Sequence, residues 1–429
     1  MSDLLYAWYG DDFTGSTDVL ECLAEGGVPA VLFLRRPTPD LLAAFPDARA
    51  VGLASDSRSR SPEWMDAHLP GDFAALQALG APVVHYKTCS TFDSAPQRGS
   101  IGRATEIGLS AMGGPVPILV GAPDLRRYLI FGTLFAAAGE AVYRIDRHPT
   151  MAHHPATPMH EADLRRHLAG QTALPIGLID LPTLQAGKAA GLFAEANSQS
   201  AVLVDGVDAA SLAEAGRVLW AEAGRRPLFG VGSSGLTQAL LAAWREAELA
   251  SGTAKVTDLA PVDRLLVVSG SCSPVTSGQI GEALHAGYRG IALSPELLIG
   301  SEAAAHDAVS EAVLALAERQ SCVLYTARGP LADEVAAGDE LGRALGRMLR
   351  RIVTAAGLTR VLLAGGDTSS HAVAELELDA LTWAARLQRG APLCRAHAAG
   401  SPLDGLELVL KGGQIGSPDF FERVRLGRP

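Results

Sequence analysis

Leu4-Leu5-Tyr6-Ala7-Trp8-Tyr9 is a short apolar run that stops abruptly at Gly10-Asp11-Asp12-Phe13-Thr14-Gly15-Ser16-Thr17-Asp18. The run has the length of a buried strand, and a strand feeding a polar turn is how an open α/β sheet presents chemistry at its carboxyl edge. The turn carries three carboxylates, three hydroxyls and two glycines. It reads in two ways. Asp12, Thr14 or Ser16 can cap the following helix, or the carboxylates can take a proton from a substrate hydroxyl and order polyol groups. The density of acids at one strand end favours a site.

Working outward, strand-length apolar runs recur at Val28–Leu34, Ala50–Leu53, Val83–Tyr86, Val116–Val120, Ile176–Ile179, Ala201–Val204 and Leu228–Val231. Alanine-rich stretches with helical spacing, such as Thr17–Glu25 and Glu161–Leu168, lie between several of them. A turn at Gly232-Ser233-Ser234-Gly235 starts a helix to about Leu249. Residues 250–258 then lose all periodicity, and a second alternating series follows from Leu265. The expected fold class is α/β: two domains, each a mostly parallel sheet covered by helices, with an active-site cleft between them. The expected boundaries are 1–250, a linker at 251–262, and 263–429.

Composition narrows the function. A chain of 429 residues exceeds one ordinary core. A net charge of −11 argues against nucleic acid or an anionic membrane as partner. No apolar run is long enough to span a bilayer, and Met1-Ser2-Asp3 lacks the basic flank of a signal peptide. Five cysteines without a C-x-x-C pair fit reduced thiols, so the expected location is cytoplasmic. Arginine supplies nearly all the basic charge, and the four lysines are Lys87, Lys188, Lys255 and Lys411. Lys87 and Lys411 fall in polar turns, where a compact ammonium has a use that a guanidinium does not.

Three strand ends of the second half share one design. Leu265-Leu266-Val267-Val268-Ser269 runs into Gly270-Ser271-Cys272-Ser273-Pro274, with Ser273 placed as N-cap and Pro274 as first helical residue. Alone, this is either a well-capped crossover helix or an anion site. Val361-Leu362-Leu363-Ala364 leads to Gly365-Gly366-Asp367-Thr368-Ser369-Ser370, where paired glycines admit a ligand and Asp367 suits ribose hydroxyls or a magnesium-bound water. Leu406–Leu410 leads to Lys411-Gly412-Gly413-Gln414-Ile415-Gly416, a lysine among glycines suited to phosphate. Together they point to a nucleotide or polyphosphate. There is no G-x-x-x-x-G-K-[ST] motif, and no G-x-G-x-x-G follows the first strand.

In the first half, Val83-Val84-His85-Tyr86-Lys87-Thr88-Cys89-Ser90-Thr91-Phe92-Asp93-Ser94 repeats the strand-then-polar-turn design. Lys87 with Thr88, Ser90 and Thr91 offers a cation and hydroxyls for a carboxylate or polyol. Arg98, Arg103 and Glu106 follow closely enough to reach the same pocket. Cys89 reads as a small buried thiol rather than a nucleophile. The histidine-rich Asp146–His160 segment is interrupted by prolines and reads as an ordered loop rather than a metal site, with Thr157 and Pro158 opening the next helix.

These motifs resemble the four-carbon acid sugar kinase family, over essentially the whole chain. The resemblance rests on Asp11-Asp12-Phe13-Thr14-Gly15 with Asp18, Lys87-Thr88 with Ser90-Thr91, Ser269–Ser273, Gly365–Ser369 and Lys411–Gly416. It implies an ATP-dependent kinase acting with Mg²⁺ on a terminal hydroxyl of a short sugar acid, with an amino-terminal acid-binding domain and a carboxy-terminal ATP domain. The acceptor would be a tetronate, a 3-oxo-tetronate or a branched five-carbon analogue such as 3-oxo-isoapionate. Many members carry an acid at Cys89 and leucine-arginine-glycine at Phe92-Asp93-Ser94, so this chain resembles a divergent branch. Carried over, the catalytic set is Asp12, Asp11 and Lys87, with Asp18, Thr14, Ser90, Thr91 and Arg103 on the acid. Ser271, Ser273, Gly365, Gly366, Asp367, Thr368, Lys411, Gly413 and Gly416 fall on the nucleotide, and no residue is assigned as a protein metal ligand. A homodimer is the candidate assembly. The rival readings are an NAD-dependent oxidoreductase of a small hydroxy acid and a non-catalytic sugar-acid binding protein.

Overall fold

The computed structural model describes residues 4–154, 156–250, 252, 259–329 and 339–429. Most of the expected linker, Ser251 and residues 253–258, lies outside these. The described chain divides into two compact α/β units. The first holds residues up to Asp11, Cys22–Ala30, and Arg36 through residue 252; the second holds Asp12–Glu21, Val31–Arg35 and the residues from 259. Two short early stretches thus group with the later unit, an exchange that a single linear boundary does not anticipate.

In the first unit, strands Ala50–Ala54, Tyr6–Gly10, Val83–Lys87, Leu228–Gly232, Val116–Leu119, Ala201–Val204 and Ile176–Ile179 lie side by side in that order, all parallel. Parallel strands need crossover helices, which cover both faces and make the central strands apolar throughout. Every residue of Tyr6–Gly10 is buried accordingly. Gly52 is required by its neighbour: a Cβ there would lie 2.2 Å from the Trp8 indole. One polar inclusion is satisfied internally, since Tyr6 Oη bonds both His85 Nδ1 and Thr237 Oγ1. Burial pushes His85 down to about 3, so it is a neutral core imidazole.

A second sheet in this unit is antiparallel: Arg127–Ile130, Thr133–Ala138 and Ala141–Arg144. The sequence reading does not anticipate it. Its first hairpin turns on Phe131 and Gly132, both at positive φ (52° and 74°), as a tight two-residue loop demands. The turn is held by Asp205, at the end of strand Ala201–Val204. Its buried carboxylate accepts the N–H groups of Phe131 (2.6 Å), Gly132 (3.0 Å) and Leu181 (2.9 Å). A bridge between Leu129 and Gly206 completes the anchorage.

In the second unit, Arg289–Ala292, Cys322–Tyr325, Leu266–Ser269, Arg360–Ala364 and Glu407–Lys411 form a parallel row. Ala391–His397 and Ala380–Gln388 extend it antiparallel, and Ala30–Phe33 pairs with the last of these through Leu32 and Phe33. Ser273 caps helix Pro274–His285 with Pro274 at its start, as expected. The expected cap at Thr157 is corrected: the helix there is Leu164–Ala169, capped by Asp163. Thr157 instead gives its N–H to His154 Nδ1 (3.1 Å), and Met159 bonds back to Met151, so this stretch is a turn.

Replacing Asp205 by Ala leaves three backbone donors without their acceptor. It should cost about 2–4 kcal/mol, against about 1 kcal/mol for Asp180→Ala, which removes a helix cap. Urea unfolding of the two variants checks the difference.

Candidate functional site

In the first unit four strands end level. Gly10 pairs with Lys87, Lys87 with Gly232, and Gly232 with Leu119. The ladder continues for one residue: Asp11 N–H donates to Lys87 O (3.0 Å), Thr88 N–H to Gly232 O (2.6 Å), and Ser233 N–H to Leu119 O (3.1 Å). Asp11, Lys87, Thr88 and Ser233 therefore leave the sheet along one edge. Lys87 is buried and its Nζ donates to Thr88 O (2.8 Å). Two fully buried hydroxyls, Thr88 Oγ1 and Ser234 Oγ, have no hydrogen-bond partner among the described residues. Ser233 caps helix Ser234–Glu246, so the same edge also presents a helix N-terminus.

The loop after Lys87 is tightly determined. Thr91 Oγ1 donates to Asp93 Oδ1 and lies 2.9 Å from Cys89 Sγ, with Ser90 half-buried beside them. Burial pushes the Asp93 carboxyl up, but the charge of Arg58, the nearby His154 ring and the Thr91 bond outweigh it and hold the group below its ordinary range. Phe92, wholly buried, sits at φ +58°, a conformation that a bulky side chain adopts only when its surroundings impose it. Arg103 is engaged elsewhere: on helix Ile101–Met112 its half-exposed guanidinium pairs with Asp66 (2.6 Å) and Glu106 (2.5 Å).

The Asp12 turn belongs to the second unit. Asp12 Oδ1 accepts from Gly15 N (2.7 Å) and Oδ2 from Thr14 Oγ1 (2.6 Å), so this carboxylate is the cap of helix Phe13–Glu25. Asp18 is buried on the same helix. Phe13 N–H donates to Ser370 Oγ (3.3 Å), which ties the acidic turn to the Gly365–Ser370 motif.

The three glycine-rich ends of this unit also line up: Ser269 pairs with Ala364 and Ala364 with Lys411. Gly270 N–H then reaches Ala364 O (3.1 Å), and Gly365 N–H reaches Lys411 O (3.0 Å). Fully buried Lys411 donates to Thr276 Oγ1 (2.9 Å), which donates to Gly413 O (2.8 Å). Burial brings the Lys411 ammonium down to about 7. Gly413 is a cradle position, since a Cβ would lie 2.9 Å from Ser271 Oγ and 3.0 Å from Ser273 Cβ. Gly416 sits at φ +94°. Gly366, Asp367 and Thr368 open helix Gly366–Ala374; the side chains of Asp367 and Thr368 lie outside what is described.

Sequence reasoning missed Thr276 and Gln279, whose Nε2 holds the carbonyls of Ile415 and Ser417 (both 3.0 Å). Their signal was a polar pair three residues apart on a helix face that also carries apolar Ile280 and Ala283. It also missed Ser234 and Ser369, buried hydroxyls without a partner among the described residues. Among those residues, no group of three or more His, Cys, Asp or Glu side chains converges as a metal site.

Residues 6–240 match the family model described as a sugar-binding N-terminal domain, and residues 266–421 the model of a nucleotide-binding C-terminal domain. The chain belongs to the four-carbon acid sugar kinase family. It is 48% identical to the 3-oxo-isoapionate kinase of Paraburkholderia graminis, over 99% of this chain and 95% of that one. It is 33% identical to the 3-oxo-tetronate kinase of Pseudomonas fluorescens, over 96% and 95%. Among solved structures, a Haemophilus influenzae protein is similar at 26% identity with a TM-score of 0.68, over 98% of this chain and 99% of that one. A Salmonella typhimurium LT2 protein described as a putative tRNA synthase shares the fold at a TM-score of 0.79 and 23% identity, over 99% of both chains. No helix among the described residues is long and apolar enough to cross a membrane.

Gln279→Ala releases both carbonyls of the glycine loop. The amides of residues 413–416 should then exchange with solvent about tenfold faster or more, as expected from losing bonds of about 1 kcal/mol each. Hydrogen-exchange mass spectrometry reads this directly.

Proposed function

We propose that this protein transfers the γ-phosphoryl group of ATP to a terminal hydroxyl of a short sugar acid, with a branched 3-oxo acid of the isoapionate type as preferred acceptor. The observation that carries the reading is near-full-length similarity, at 48% identity, to a protein named 3-oxo-isoapionate kinase. The buried Lys411 and the Gly413 cradle support a polyphosphate at the carboxyl edge of the second unit. An oxidoreductase is not favoured, since the similar proteins are kinases and the first strand is not followed by a dinucleotide fingerprint.

Phosphoryl transfer asks the protein mainly for positioning and charge neutralisation. Lys411, the Gly413–Gly416 loop and the helix N-terminus at Ser273 fit the phosphates, with Gly365, Gly366, Asp367 and Thr368 on the nucleotide beside them. Mg²⁺ arriving with ATP would neutralise charge on the β- and γ-phosphates. Asp12 is the proposed base for the acceptor hydroxyl: the cap bond from Gly15 N–H and the bond from Thr14 Oγ1 hold the carboxylate, on a turn tied to Ser370. Asp11 and Lys87, with Ser90 and Thr91, take the hydroxyls of the acid. Thr14 and Asp18 support the Asp12 turn, and Arg103, held by Asp66 and Glu106, is left out of the set.

The test is ADP release measured with 3-oxo-isoapionate, 3-oxo-tetronate, threonate and erythronate side by side, with reduced nicotinamide followed in parallel. ADP release with the branched acid above the linear ones is expected. Hydride transfer, or ligand binding without ADP, would favour one of the rival readings. Asp12→Asn should lower kcat by about 10²–10⁴-fold with ATP affinity little changed.

Lys411 makes nucleotide binding pH-dependent. In the empty protein its ammonium titrates near 7 because burial disfavours the charge; bound phosphates favour the charge and raise that value. Binding at pH 8 should therefore take up close to one proton, and binding at pH 6 none from this group. ATP affinity should fall as pH rises above about 7. Calorimetry in two buffers of different ionisation enthalpy measures the uptake, and Lys411→Met should abolish it.

A further inference from the structure

Arg127 is a guanidinium in an unusual setting. It begins strand Arg127–Ile130 and shares a strand face with Leu129, which is fully buried, so its side chain points into the first unit. Its Nη1 donates only to neutral carbonyls, those of Leu125 (2.9 Å), Arg126 (3.3 Å) and Ala137 (3.3 Å). Its Nε is buried and has no hydrogen-bond partner among the described residues. No described carboxylate pairs with it, and desolvation pulls its pKa down. A mostly buried cation without a counter-ion is costly unless something else supplies the charge.

The surroundings say where that charge would sit. Arg127 pairs through its backbone with Ala122 (2.9 and 3.1 Å), just beyond the end of strand Val116–Leu119. Gly121, one residue earlier, packs directly on the start of helix Ser234–Glu246, since a Cβ on Gly235 would lie 1.8 Å from Gly121 O. The Cys89 thiol, two residues past Lys87, lies within electrostatic reach of the guanidinium. The hairpin that carries Arg127 is fixed to the same edge by Asp205 and Gly206. Arg127 thus stands beside the row of Lys87, Thr88 and Ser234, where two buried hydroxyls also have no partner among the described residues.

We infer that Arg127 receives the carboxylate of the acceptor acid and sets the preference for acids over neutral sugars. A planar guanidinium whose Nε has no partner among the described residues matches a carboxylate, and Thr88 Oγ1 and Ser234 Oγ are the unpartnered hydroxyls of the neighbouring row. Lys87 is then left to the hydroxyl or keto oxygens. The inference rests on the kinase reading above and adds to it the residue that reads the acid group.

The test compares 3-oxo-isoapionate with its carboxamide, which keeps the shape and loses the charge. Arg127→Met should raise KM for the acid roughly 30–300-fold, as expected for losing a charge-assisted pair. kcat, KM for ATP and KM for the amide should change little. Arg127→Lys keeps a charge but not the fork, and should raise KM for the acid roughly 5–20-fold, again leaving the amide alone. Equal effects on acid and amide in either variant, or none, would overturn the inference; the lysine variant decides it if the methionine variant does not fold. If the wild type phosphorylates no acid, the kinase reading fails instead. Arg127 is then judged by calorimetry, where wild type binding the acid no better than Arg127→Lys sinks the inference.

Discussion

Everything functional in this chain depends on parallel strands ending level. Parallel pairing forces each strand to be followed by a crossover, so the turn and the next helix N-terminus always emerge at the same edge. Register then decides which residues meet. In the first unit Gly10, Lys87, Gly232 and Leu119 share one row, and in the second Ser269, Ala364 and Lys411 share another. With strands about 4.8 Å apart, three or four neighbouring turns span a small ligand. A one-residue slip in any of these pairings would turn Lys87 or Lys411 to the opposite face and dismantle the row.

The two buried lysines show why a chain that otherwise uses arginine changes residue at these points. A buried guanidinium has five donors to satisfy. Arg360 engages all three of its nitrogens, with Glu407 and the carbonyls of Val424 and Ala260, and in that arrangement it pins the carboxy-terminal helix Phe420–Leu426 to the sheet. Lys411 donates to a hydroxyl, Thr276 Oγ1, at the head of a glycine-rich loop. A compact ammonium fits there, and burial lowers its pKa, a shift that an arriving anion would oppose. Arg127 resembles neither: it has carbonyls where Arg360 has a carboxylate.

What could be read from the sequence was what is local. The first strand, the Lys87 strand, the Ser273 cap and the three glycine-rich strand ends each carry their own signal within about ten residues, and each folds as that signal implies. The hairpins were hidden for identifiable reasons. Phe131-Gly132 is not a usual turn pair, and six of the nine residues of Ala380–Gln388 are alanine, leucine or arginine, which favour helix unless a sheet edge captures them. The exchange that puts Asp12–Glu21 in the later unit depends on contacts such as Phe13 with Ser370, 357 residues apart in the chain, and no window of sequence holds it. Thr157 caps no helix because its hydroxyl, like its N–H, is turned to His154 Nδ1.

The Asp12 turn shows that its two sequence readings were never exclusive. The carboxylate is a helix cap, and capping is what fixes its orientation. The loop after Lys87 follows the same logic on a larger scale. Phe92 stays at positive φ because its ring is wholly buried, with His167 beside it, while Ser94 bonds His167 and Gln171 and Asp93 is steadied by Arg58 and His154. Burial brings His167 down to about 4, so it serves that network as a neutral ring. The shape of the loop is therefore set by residues 58, 154, 167 and 171 as much as by its own sequence. The departures at Cys89 and Phe92-Asp93-Ser94 therefore do not set the loop by themselves: the side chains that hold it come from segments the motif does not contain.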